Sequence, residues 1–87
     1  LAIGNNVRTD SYAEFSLGIN NTNGGGDPNN WVATDRLFSI GNGATTASKS
    51  NAIVILKNGD TGIGIDMPTQ KLDVNGIVKA TSFISAT

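Results

Sequence analysis

Carboxylates, hydroxyls, amides, a few amines and one indole are the reactive groups of this chain; His and Cys are both absent. Without them, Ser-His and Cys-His nucleophiles and thiolate chemistry are excluded, leaving carboxylate pairs or a Ser-Lys arrangement. The seven acidic residues, Asp10, Glu14, Asp27, Asp35, Asp60, Asp66 and Asp73, are spread through turn-like sequence with no paired spacing. A glycosidase-type pair needs carboxylates roughly 5 to 9 Å apart across a cleft, which a narrow β structure does not offer. Ser48, Lys49 and Ser50 are adjacent, and neighbours on an extended chain face apart, so they read as a solvated turn. No enzyme activity, catalytic residue or cofactor is expected.

The run Gly24-Gly25-Gly26-Asp27-Pro28-Asn29-Asn30 is similar to the Gly-rich nonapeptide that ligates calcium between stacked turns, but it occurs once and imperfectly. A surface loop is the expectation, with no metal site. "IGNGATTASKS" is no phosphate loop, since no Gly-Lys-Thr follows and no helix begins, and "GATTAS" lacks the coil-to-coil repeat of an ice-binding face. Sugar binding has a better basis. Trp31 stands beside Asn29, Asn30, Asp27 and Asp35, an apolar plate among short hydrogen-bonding groups that suits a pyranose ring. The opposing reading makes Trp31 a plug for a thin core, against Val32 or Phe38. Two charge pairs are expected at the surface: Arg36 with Asp35 or with a neighbouring chain, and Lys57 with Asp60 across a hairpin.

These residues must be held by very little core. The apolar fraction is 38%, Gly and Asn together make a quarter of the 87 residues, and the aromatic residues are Tyr12, Phe15, Trp31, Phe38 and Phe83. Chains this small that lack a sufficient core add disulfides, metals or partner chains. Disulfides are excluded and the commonest transition-metal ligand is missing, so partner chains are expected. A net charge of −1 with six scattered basic residues gives no footprint for nucleic acid or an anionic membrane. No apolar run approaches the roughly 20 residues that span a bilayer, so membrane insertion is not expected. The abrupt start at Leu1, inside a pattern, reads as a segment of a longer polypeptide.

Helical periodicity is absent, and β-branched residues, Asn and Gly dominate, so the chain should be all-β. Four Asn-Gly pairs mark turns. "AIVILK" and "DTGIGI" should form a hairpin about Asn58-Gly59, placing Lys57 opposite Asp60; "KLDV" and "IVKA" should form another about Asn75-Gly76, placing Val74 opposite Ile77. Ile3-Gly4 returns as Leu17-Gly18 fourteen residues later, a plausible coil length for a narrow β-roll. The opening of that unit, Ile3 to Gly18, is echoed from Ile40 to Lys57, with Ser11, Ala13, Ser50 and Ala52 expected to face a tight interior. The expected organisation is a β-roll-like repeat over 1–19, a protruding Gly/Asn-rich loop over 20–31, a second repeat and hairpin over 32–66 with a strand resuming near Arg36, and a second hairpin and C-terminal strand over 67–87.

"SYAEFSLG", "ATDRLFSIGNG", "SNAIVILKNGDTGIGI" and "PTQKLDVNGIVKATSF" resemble stalk segments of phage or phage-like tail fibres and bacterial surface fibres, which often precede an intramolecular chaperone domain. The fourteen-residue Ile-Gly spacing with Ser-x-Ala is similar to the head repeats of trimeric autotransporter adhesins. "IDMPT" departs from the usual wording, where a polar Thr or Ser pair follows Gly-Ile-Gly. The resemblance implies a homotrimeric, intertwined β-prism or β-roll with β-hairpins and no substantial helix, located in a virion tail fibre or at the cell surface. Its core would come from Phe38, Ile40, Ile53, Ile55, Ile63, Ile65, Leu72 and Val74 of three chains. Its role would be to position a host-recognition region, with other fibre or baseplate proteins as partners. The alternative is a module that binds a cell-surface glycan directly through the Asn20 to Trp31 loop, with Trp31, Asp27, Asn29 and Asn30 as contacts. A monomeric β-solenoid is a third possibility.

Overall fold

A computed structural model describes all residues, 1–87. It is all-β with no helix: six strands in one sheet whose spatial order is the chain order, β1 (Ala2–Asn5), β2 (Phe15–Ile19), β3 (Arg36–Asn42), β4 (Asn51–Leu56), β5 (Thr61–Ile63) and β6 (Leu72–Val74). The molecule is a slab of 40 × 31 × 17 Å.

The first three strands run parallel, each pair joined by a crossover that passes over one face of the sheet. Ile3 pairs with Leu17 and Gly4 with Gly18, so the fourteen-residue spacing read from sequence is one coil. Leu17 then pairs with Ile40, twenty-three residues on. The second coil is the first with about nine residues added, and the Gly/Asn-rich run supplies them. Corresponding positions repeat in detail. Asn6 and Asn20 both adopt left-handed backbone (φ 55° and 46°), Asn6 Nδ2 donates to Asn20 Oδ1 at 2.8 Å, and Asn20 Nδ2 donates to the Gly43 carbonyl at 3.0 Å. Gly18 has φ +104°, and a Cβ there would overlap the Gly41 carbonyl, so only glycine lets adjacent coils approach this closely.

From β3 onward the direction reverses. β3–β4 and β4–β5 are antiparallel, and β6 returns parallel to β5. The second copy of the expected repeat therefore begins like the first, at Ile40, but comes back as a hairpin instead of a coil. The turn at Asn58-Gly59 forms with a different register from the one expected. Leu56 N donates to Asp60 O and Gly59 N to Leu56 O, each at 2.9 Å, giving a three-residue loop with Gly59 at φ +92°. Lys57 is thus in the loop and not opposite Asp60. Its ammonium instead donates to the Arg36 carbonyl at 2.7 Å, while Asp60 takes Lys71 at 3.6 Å. No hairpin forms about Asn75-Gly76: residues 75–87 contain no strand and are exposed, with Ile77 97% accessible.

The interior is mainly polar. Val54 and Leu56 are the only large apolar side chains that are buried; Ser11, Glu14, Ser16, Asn20, Asn21, Arg36, Ser39 and Asn51 are buried beside them. Of the small residues expected inside, only Ser11 is. Ala13 is exposed, Ser50 is exposed, and Ala52 is the extra residue of a β-bulge between Ile53 and Asn51. Their place is taken by Ser16 and Ser39, whose hydroxyls hydrogen-bond at 2.6 Å across β2 and β3.

Candidate functional site

Side chains alternate between faces along a strand, so the register sorts them. One face carries Ala2, Ser16, Ser39, Val54, Gly62 and Asp73 in a continuous row, and from Ser16 to Gly62 it is buried beneath the crossovers. The other carries Ile3, Leu17, Ile40, Ile53, Ile63 and Val74, one aliphatic side chain from each of the six strands. Beside that row runs a second, Phe15, Phe38, Ile55, Thr61 and Leu72, in which the two Phe rings meet edge to face at 5.7 Å. Nothing in the chain covers these rows. Every one of these side chains is partly or largely accessible, Ile63 at 44%.

Six strands at about 4.8 Å spacing make the rows about 24 Å long, and two rows about 7 Å apart, with about 2 Å of side-chain width added on every edge, define an apolar strip on the order of 300 Å². That is comparable to the largest apolar patch on a typical monomer, about 300–600 Å², which is often functional.

Seven of the eight residues expected to form a shared core lie on this strip: Phe38, Ile40, Ile53, Ile55, Ile63, Leu72 and Val74. Ile65 does not. The chain turns at Gly64 (φ +71°) and lays Ile65 over Gly62, on the opposite, covered side of the sheet. Ile3, Phe15 and Leu17 are also on the strip, beyond the expected core residues. The fourteen-residue spacing was the signal that could have found them, because it stacks Ile3 on Leu17 in the row that Ile40 continues.

The covered face is held by a hydrogen-bonded network. Glu14 Oε1 accepts from Ser11 N at 3.1 Å, Ser11 Oγ at 3.0 Å and Asp10 N at 3.2 Å, while Oε2 accepts from Ser16 Oγ at 3.0 Å. Arg36, 5% exposed, is a clamp within the chain and not a surface partner of Asp35. Its Nη1 donates to the Thr22 carbonyl and its Nη2 to Thr22 Oγ1, both at 2.6 Å, with Asp66 Oδ2 at 3.6 Å. Asn51 Nδ2 joins the same Thr22 hydroxyl at 2.8 Å. These bonds tie the start of the second crossover to the sheet, so Asn20, Asn21 and Thr22 are packed and the exposed part of the loop begins at Asn23.

Within that loop, Asp27 Oδ1 accepts from Asn29 N at 2.8 Å and Asn30 N at 3.1 Å, and Oδ2 from Asn30 Nδ2 at 3.2 Å. The Asn29 amide first, then the Asn30 side chain, hold the Asp27 carboxyl below the usual carboxylate range. Asp27 N in turn donates to Asp35 Oδ2 at 2.8 Å. No three carboxylates converge, and the chain has no enclosed pocket. Trp31 is 61% exposed and does not plug the core.

No protein-family model, curated protein sequence or solved structure matches this chain.

Proposed function

We propose that this chain is one third of a parallel homotrimeric stalk segment, in which the three apolar strips meet around a common axis. The observation that carries this reading is the unbroken row of six aliphatic side chains left uncovered on one face, while the other face is already closed by its own crossovers. A closed, cyclic arrangement places the same strip of each copy at the axis and leaves no surplus surface for further growth.

The strips alone bring together on the order of 900 Å² from three chains, below the roughly 1,200 Å² of the smallest stable interfaces. Ile77, Val78, Phe83 and Ile84, exposed on a tail with no strand of its own, supply further apolar surface from each copy. A stalk of this kind acts mechanically, as the tail-fibre and surface-fibre resemblance implies: it separates a recognition region from its base and makes contact with other fibre or baseplate proteins at its ends. Hydrogen-bonded coils resist proteolysis because their backbone groups are paired.

Sedimentation equilibrium of the purified chain tests the stoichiometry. The expected mass is three times 9.0 kDa, about 27 kDa. A folded species at 9.0 kDa would sink the proposal in favour of a monomeric solenoid.

A further inference from the structure

The crossover between β2 and β3 lies on the side of the sheet away from the apolar strip. Thr22 bonds to the inward-facing Arg36, Gly24 lies against the Arg36 side chain, and further along Asp35 O accepts from Lys57 N and Ala33 O from Asn58 N at 2.9 Å each. Trp31 sits between these anchors, with most of its indole accessible. If the strip faces the axis, as in the trimer proposed above, Trp31 faces solvent on the outside of the fibre, once per chain.

Its surroundings are organised before any ligand arrives. Asp27 fixes the backbone of Asn29 and Asn30 through its carboxylate. Asn29 spends only its backbone N–H on this turn, and Asn30 its backbone N–H and one side-chain N–H, so the Asn29 side-chain amide and the Asn30 side-chain carbonyl oxygen stay free to bond outward. An exposed indole offers a flat apolar plate with a donor at its edge. Next to it in the chain stand the Asn29 and Asn30 amides, on a backbone held by Asp27, and two carboxylates, Asp27 and Asp35, with no Lys or Arg between residues 9 and 35. This combination matches a neutral hexopyranoside, whose C–H face stacks on the ring while its hydroxyls bond to amides. The carboxylates work against an acidic sugar.

We propose that Trp31, with Asn29 and Asn30, forms a shallow outward-facing subsite for a neutral hexopyranoside. The inference rests on the trimer only for the orientation of this surface, and the two can fail separately. Trp31 is the sole tryptophan, so its fluorescence reports the site directly. In the intact assembly, with its mass read on the same sample, acrylamide should quench Trp31 readily. Methyl β-galactopyranoside, methyl β-glucopyranoside or N-acetylglucosamine at millimolar concentration should shift its emission and protect it from acrylamide, and 3′-sialyllactose should do neither. Trp31→Ala should lower retention on a surface bearing the responding sugar by at least about tenfold, with melting unchanged, and Asn29→Ala should lower it by a smaller factor. A Trp31 shielded from acrylamide in a 27 kDa particle (three times 9.0 kDa), or an emission unmoved by all three neutral sugars, overturns the subsite and leaves the trimer standing. A monomer whose Trp31 responds to sugar does the reverse. If Trp31→Ala melts early, Trp31→Phe, which keeps an aromatic plate, must retain both fold and sugar binding for the subsite to survive.

Discussion

Ile63→Asp is the substitution that most cleanly separates a chain that folds alone from one that completes itself by association. Ile63 sits in the aliphatic row between Ile53 and Val74, and 44% of it is still accessible within the chain. Complete burial of an Ile is worth roughly 1.5–3 kcal/mol, so the exposed share leaves about 1 kcal/mol per chain to be gained on assembly, about 3 kcal/mol per trimer. Ile63→Ala forfeits that gain and should lower the trimer association constant about a hundredfold. Ile63→Asp adds the desolvation of three carboxylates, several kcal/mol each, at mutually repulsive positions near the axis. Together these exceed about 10 kcal/mol, enough to dissociate the particle at micromolar concentration. Within one chain the same Asp points into water and should cost only about 1 kcal/mol. Sedimentation velocity on wild type, both variants and Thr46→Asp, a charge added in an exposed turn, reads the outcome, and circular dichroism reports whether the dissociated chain keeps strand content. A trimer undisturbed by Ile63→Asp would refute the assignment of the strip to the axis, as would a wild-type chain that sediments as a monomer.

Gly18→Ala should cost about 3 kcal/mol or more, because it forces Ala to φ +104° and drives a methyl into the Gly41 carbonyl, and a chemical denaturation midpoint will show it. Arg36→Ala removes two short bonds to Thr22 and the Asp66 contact, and should destabilise by about 3 kcal/mol while selectively raising hydrogen exchange in residues 20–26, the segment it clamps. For Asp27 the folded pKa lies below the ordinary 3.8 of an Asp. The stabilisation of the loop by its ionised form is therefore present above pH 3.8 and is lost as pH falls through the lower folded value. NMR shifts of the Asn29 and Asn30 amides should titrate with a midpoint below pH 3.8; Asp27→Asn should abolish that titration.

How much of this was readable beforehand follows from which interactions are local. The all-β character, the start of β3 at Arg36, the fourteen-residue coil and the position of the Asn58-Gly59 turn come from propensity and short spacings that a sequence displays directly. Register is harder. Asn-Gly suits a two-residue loop, but Lys57 finds acceptors at Ser11 and the Arg36 carbonyl, and the loop takes three residues instead. Alternation also says which residues share a face without saying which face is covered. Ser16 and Ser39 look like the wet side of a strand until the Glu14 carboxylate and the crossovers close over them. The Arg36, Thr22, Asn51 and Asp66 cluster joins residues as far apart as Thr22 and Asp66, forty-four positions, and no local pattern announces it. The second hairpin does not form: no strand follows β6, and residues 75–87 lie exposed.

The mainly polar interior also bears on the calorimetry of this protein. Heat capacity rises on unfolding chiefly through the apolar area that becomes hydrated, and here Val54 and Leu56 are the only large apolar side chains a single chain buries fully. An isolated chain should therefore have a shallow stability curve, with its melting enthalpy drawn from hydrogen bonds instead of solvent release. The steep temperature dependence usual for a globular domain would then be a property of three chains together.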